Sequence, residues 1–129
     1  MNTVSLTLFF AACCALLQCA LTVSVIIRRA QTGIDLMDGG DQKLLRRIRA
    51  HGNFSETAPM ALLLMLLLEM NGLGSTWLIA FGVMLLLGRI LHAQSLLTNN
   101  AAWSRRGGMV LTLSVISIEA VFALWLLAR

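Results

Sequence analysis

Arg49, His51, Asn53 and Glu56 fall within a stretch of eight residues in a chain that is otherwise mostly apolar. If this stretch is helical, Arg49, Asn53 and Glu56 stand at i, i+4 and i+7 on one face, and Arg46 extends that face a turn back. A cation, an amide and a carboxylate then line up just before residues 60–68, which carry no polar side chain. Such a face suits a small zwitterionic or anionic ligand held where water meets hydrocarbon. His51 lies two positions from Arg49, about 200° round a helix. Within one subunit it cannot share that face, so it would serve only a site completed by a neighbouring protomer.

A second group sits in an apolar segment at Gly88-Arg89-Ile90-Leu91-His92. For a helix ending near residue 97, Arg89 lies about 12 Å inside the membrane. An arginine at that depth faces a polar interior or a partner. His92 follows one turn later on the same face. Glu119, in the last apolar segment, is expected about 18 Å from the same membrane surface. In antiparallel helices it would lie about one turn deeper than Arg89, so the two are expected to form a buried ion pair.

The elements that must position these residues are long apolar helices. Of the 129 residues, 58% are hydrophobic and 12% are charged, against about 25% charged in an average soluble domain. Residues 4–27 contain no formal charge, and a membrane-spanning helix needs about 20 such residues. Residues 76–97 and 107–128 form similar spans, and residues 42–70 form a helix that is polar at its start and apolar at its end. The expected fold is therefore an all-α integral membrane protein, a single four-helix transmembrane bundle with no separate soluble domain. The first segment is too long for a signal h-region and lacks a preceding basic residue, so it is read as a retained helix.

The net charge of +4 is not a nucleic-acid footprint, because the basic residues sit at helix ends. Residues 28–53 hold six Lys/Arg, residues 71–76 none and residues 98–106 two. The positive-inside rule then puts the first and third loops in the cytoplasm and both termini outside. Asp35, Asp38 and Asp41 are spaced unlike an EF-hand, and no metal site is expected. Gly39-Gly40-Asp41 reads instead as a turn leading into an N-cap. Pro59 admits two readings, a kink that opens the backbone beside Glu56 or a tolerated membrane-helix proline. Cys13, Cys14 and Cys19, in hydrocarbon, read as small packing residues. Glu69 is expected to reach the outer interface, and Asn99 and Asn100 to lie in the third loop.

The run Arg49-Ala50-His51-x-Asn53-x-x-Glu56-x-x-Pro59 resembles the start of the second helix in the membrane-associated proteins in eicosanoid and glutathione metabolism, the MAPEG superfamily. Gly88-Arg89-x-x-His92 looks like that family's helix-three motif, and the whole chain is most similar to its small bacterial branch. The resemblance implies a homotrimer of four-helix protomers with glutathione, as co-substrate, held between subunits on the cytoplasmic side. It further implies that Arg49, Asn53 and Glu56 bind the tripeptide, that Arg89 reaches into the same pocket and that His51 and His92 line it. Arg105 or Arg106 would match the arginine that assists the thiolate in several members. The chain departs from the family pattern in having no tyrosine: Thr57 and Leu96 occupy positions where relatives active with glutathione carry phenols.

Two functions follow as expectations. One is a glutathione- or thiol-dependent transferase presenting a soluble thiol to a lipophilic electrophile that arrives through membrane lipid. The other is a bundle that keeps the family fold as a scaffold or ligand-binding protein without catalysis. A small multidrug exporter is disfavoured, because the first helix lacks the carboxylate on which such proteins depend.

Overall fold

The computed structural model describes residues 4–98 and 102–128. Four helices occupy almost all of them: α1 (Ser5–Thr32), α2 (Gln42–Met70), α3 (Ser75–Thr98) and α4 (Ala102–Leu127). Helices α1, α3 and α4 are long and apolar enough to cross a membrane. Helix α2 carries all its charges except Glu69 in its first half and is apolar from Ala58 to Leu68. Asn99, Asn100 and Arg129 lie outside the described residues.

The boundaries of α2 agree with the sequence. Asp41 caps its start, with Oδ1 accepting the Leu44 N–H at 2.6 Å, and the helix continues through Pro59 to Met70. Two other boundaries differ. Helix α1 runs five residues past 27 and ends at Gly33, whose φ of +68° closes the turn. Helix α4 begins at Ala102, five residues before 107, so Gly107 and Gly108 lie inside it instead of at its start. Glycine discourages helix in isolation; here the absence of a side chain lets two helices meet. A Cβ on Gly108 would come within 2.6 Å of the Gly88 carbonyl oxygen and 2.8 Å of the His92 amide nitrogen. The α3–α4 crossing is fixed at that point.

Helices α2 and α3 form the middle of the bundle; each packs on all three other helices, while among the described residues α1 and α4 do not pack on each other. The core runs from Phe10 and Cys14 of α1 through Ala58, Ala61 and Met65 of α2 to Phe81 and Leu85 of α3 and Val115 of α4. Leu8, Leu16, Leu87, Val110, Val121 and Leu124 are among the large apolar side chains left on the outside, as expected of a surface solvated by lipid.

Polar contacts fasten the α1–α2 hairpin at its charged end. Arg28 donates to both carboxylate oxygens of Asp41, through Nε at 3.1 Å and Nη2 at 2.6 Å. The guanidinium, together with the Leu44 N–H, draws the Asp41 carboxyl down to about 2. Arg47 donates to the Ser24 carbonyl at 2.6 Å. Deeper in, Gln18 donates to Ser55 Oγ, which donates to the His51 carbonyl. At the opposite end Glu69 does more than reach the interface: its carboxylate accepts the free N–H groups of Leu6 and Thr7, at 3.0 and 2.8 Å, and so caps α1.

Candidate functional site

An open cavity of about 570 Å³ lies at the basic end of the bundle, between the first turns of α2, the last turns of α3 and the start of α4. Helix α2 contributes Arg46, Arg49, Asn53 and Glu56, the stripe expected from its spacing, together with Leu45, Ile48 and Gly52. Helix α3 adds His92 and Leu96, and α4 adds Arg105. Three guanidinium-bearing residues, one carboxylate, one amide and one imidazole therefore share a single recess. Arg49 and Glu56 are exposed, so their charged heads are free to meet a ligand.

The remaining expected residues are placed otherwise. His51 is half-buried and does not line the cavity of its own chain, as its angular position on α2 requires. Arg106 is exposed and also stands outside the lining. Arg89 is 1% exposed and lies behind the cavity wall instead of reaching into it. Its Nη1 donates to Asn53 Oδ1 at 2.7 Å and to Thr57 Oγ1 at 2.9 Å. Its Nε donates to Thr112 Oγ1 at 2.9 Å, and its Nη2 reaches the Gly108 carbonyl at 3.4 Å.

Arg89 makes no ion pair with Glu119, contrary to the expectation from sequence. The sole ion pair among the described residues is Arg28–Asp41, and neither Glu119 oxygen has a hydrogen-bond partner there. The reason is register. Gly108 lies against Gly88 and His92, and Glu119 follows eleven residues later, about 16 Å further along α4. The early start of α4 carries Glu119 too deep for an arginine at position 89.

Sequence reasoning missed Thr57 and Thr112. Each hydroxyl accepts from Arg89 and donates to a backbone carbonyl, Thr57 to Asn53 and Thr112 to Gly108. Their signal was present in the helical spacing, since Thr57 lies one turn after Asn53 and Thr112 one turn after Gly108. Which hydroxyl faces the arginine is a matter of packing between helices.

His92 Nδ1 lies 3.3 Å from the Arg105 carbonyl oxygen. A carbonyl only accepts, so this contact places the neutral ring's proton on Nδ1 and leaves Nε2 as an acceptor. The recess thus combines cations for an anionic ligand, a carboxylate for an ammonium group, an imidazole nitrogen able to take a proton, and Leu96 as an apolar wall.

The MAPEG family model matches residues 7–127. Two curated relatives, both described as inner membrane protein YecN, come from the K12 and O6:H1 strains of Escherichia coli. Each is 36% identical over 117 residues, covering 90% of this chain and 88% of the relative.

Proposed function

This chain belongs to the MAPEG family, and from that premise we propose that it is a membrane-bound, glutathione- or thiol-dependent transferase-like enzyme acting on lipophilic electrophiles. The observation that carries this reading is the cavity in which Arg49, Asn53, Glu56, His92 and Arg105 converge. Arg46 and Arg49 pair with carboxylates of the thiol peptide, and Glu56 accepts its ammonium group. Arg105 stabilises the thiolate, as a neighbouring cation does, and His92 Nε2 takes the thiol proton. The sulfur then attacks the electrophilic carbon: the S–C bond forms, and the electron pair of the broken bond leaves with the departing group. Arg105 holds this role ahead of Arg106 because it lines the recess.

The lipid-solvated faces of α1 and α4 offer the electrophile a route from the bilayer. Three copies assemble as a homotrimer, in which a neighbour's His51 adds to each cavity. The YecN relatives carry an inner-membrane description, and the same location is assigned here, with the basic end cytoplasmic and both termini outside. A second reading, ligand binding without chemistry, is favoured by Thr57 and Leu96. Thr57 is engaged by Arg89 and Leu96 is an apolar wall, where active relatives carry phenols.

Two measurements on the detergent-solubilised protein separate these readings. Isothermal titration with glutathione is expected to show binding that Arg49→Ala and Glu56→Gln each weaken by about 2 kcal/mol, because charge-assisted contacts are lost. Thiolate ultraviolet absorbance is expected to appear with the bound peptide and to vanish in Arg105→Ala. Binding without thiolate would establish the non-catalytic reading, and unchanged affinity in both α2 variants would remove the site altogether.

A further inference from the structure

The cavity wall at Asn53 has a fixed polarity, and its origin lies outside the cavity. A guanidinium carries only donors, so the Asn53 atom 2.7 Å from Arg89 Nη1 is the amide oxygen. This settles the amide's orientation by chemistry, independently of the resemblance between O and N in shape. The other side-chain atom, Nδ2, has no hydrogen-bond partner among the described residues, while Asn53 itself lines the recess. Arg89 cannot swing away to relax the arrangement. Thr112 and Gly108 of α4 hold its far side, and Thr57 ties its near side to the Asn53 backbone.

Charge reinforces geometry. No carboxylate pairs with Arg89 among the described residues, so its positive charge is met there by neutral groups, the amide, hydroxyl and carbonyl dipoles and the Met109 sulfur at 3.7 Å. The Asn53 amide stands between this cation and the recess. A guanidinium bonded to the oxygen draws electron density through the amide and strengthens the N–H groups on the other side as donors.

Resting on the thiol-peptide reading of the site, we infer that Arg89 is a positioning residue that makes Asn53 present its NH2 group, never its oxygen, to a carboxylate of the bound ligand. Arg89 thereby sets the ligand's polarity at that point without touching it. Glu56, one turn along α2, presents the opposite polarity. A peptide that places its carboxylate at Asn53 and its ammonium at Glu56 is accepted, and the reversed orientation is rejected.

The test uses the full-length protein in detergent and two substitutions. Asn53→Asp still gives Arg89 an acceptor, now a charged one, but turns a second oxygen toward the recess. Its melting temperature is expected to equal or exceed that of the parent, while affinity for glutathione falls on the order of 30-fold or more. Asn53→Ala, which removes the donor without adding repulsion, is expected to show a smaller loss. An Asn53→Asp protein that binds glutathione like the parent, or that loses affinity only as it loses stability, overturns the inference.

A ligand-free measurement tests the Arg89–Asn53 contact separately. With 15N-labelled arginine, the Arg89 Nη protons should be protected from exchange in the parent and in Asn53→Asp, and should exchange faster in Asn53→Ala. Equal exchange in all three shows that Arg89 does not hold Asn53 and overturns the inference. If the parent fails to bind glutathione, the thiol-peptide reading fails, and the exchange data alone decide whether Arg89 positions the amide.

Discussion

Arg89 and Glu119 are almost equally buried, at 1% and 0% exposure, yet the bundle surrounds the first with acceptors from two neighbouring helices and leaves the second without a donor among the described residues. Asn53 and Thr57 on α2 and Thr112 and Gly108 on α4 meet the Arg89 guanidinium. The difference follows from what a helix interior has to offer. Every mid-helix N–H is committed to the carbonyl four residues back, whereas each carbonyl keeps a second lone pair and serine or threonine hydroxyls can accept as well. A buried cation in the middle of a helical bundle can therefore draw on backbone oxygens, whereas a buried carboxylate finds no uncommitted backbone N–H there and depends on side-chain donors. Glu69 confirms the point from the other side. It meets α1 at its start, where N–H groups are uncommitted, and accepts two of them.

The contrast is broken most directly at Arg89. Arg89→Ala removes the donors from Asn53, Thr57 and Thr112 together and leaves a cavity, so it should destabilise the bundle by about 3 kcal/mol or more. Reversible unfolding in mixed micelles measures this, and a loss below about 1 kcal/mol would mean that the network is incidental. Glu69→Ala uncaps α1 and should cost about 1–2 kcal/mol in the same assay, with hydrogen exchange rising first at Leu6 and Thr7.

Glu119→Leu should have little effect or stabilise, because a side chain with unmet polar atoms is exchanged for an apolar one of similar size. Clear destabilisation would reveal a donor that Glu119 does meet. Combining Glu119→Leu with Arg89→Ala should give changes that add to within about 0.5 kcal/mol, as expected of residues that do not touch. The smallest effect concerns the charge that is paired in the open. Asp41 has its carboxyl lowered from 3.8 to about 2, so its contribution to holding the loop is present above the ordinary carboxylate range and fades as pH falls from about 4 toward 2. Titration of the Asp41 carboxyl carbon by NMR should show this, and Asp41→Asn should abolish the pH dependence there.

Much of the molecule was legible in one dimension. The apolar runs gave four helices because a segment surrounded by hydrocarbon must satisfy its backbone internally, and Gly39-Gly40-Asp41 marked the start of α2 through local turn and cap chemistry. The stripe of Arg46, Arg49, Asn53 and Glu56 followed from helical period alone, and the cavity contains all four. Such features depend on residues within a few turns of one another, which the order of the chain already fixes.

What lay across helices was decided only by packing. Whether Arg89 meets Glu119 or Asn53 depends on how far α4 is displaced along α3. That displacement is set by Gly88 and Gly108, whose missing side chains let two backbones touch. A shift of α4 by a few residues leaves the apolar pattern of both helices intact while exchanging every partner between them. Sequence therefore determined that an arginine would be buried and that α2 would carry a polar face. Tertiary structure determined that the arginine stands behind that face, holding Asn53 in place.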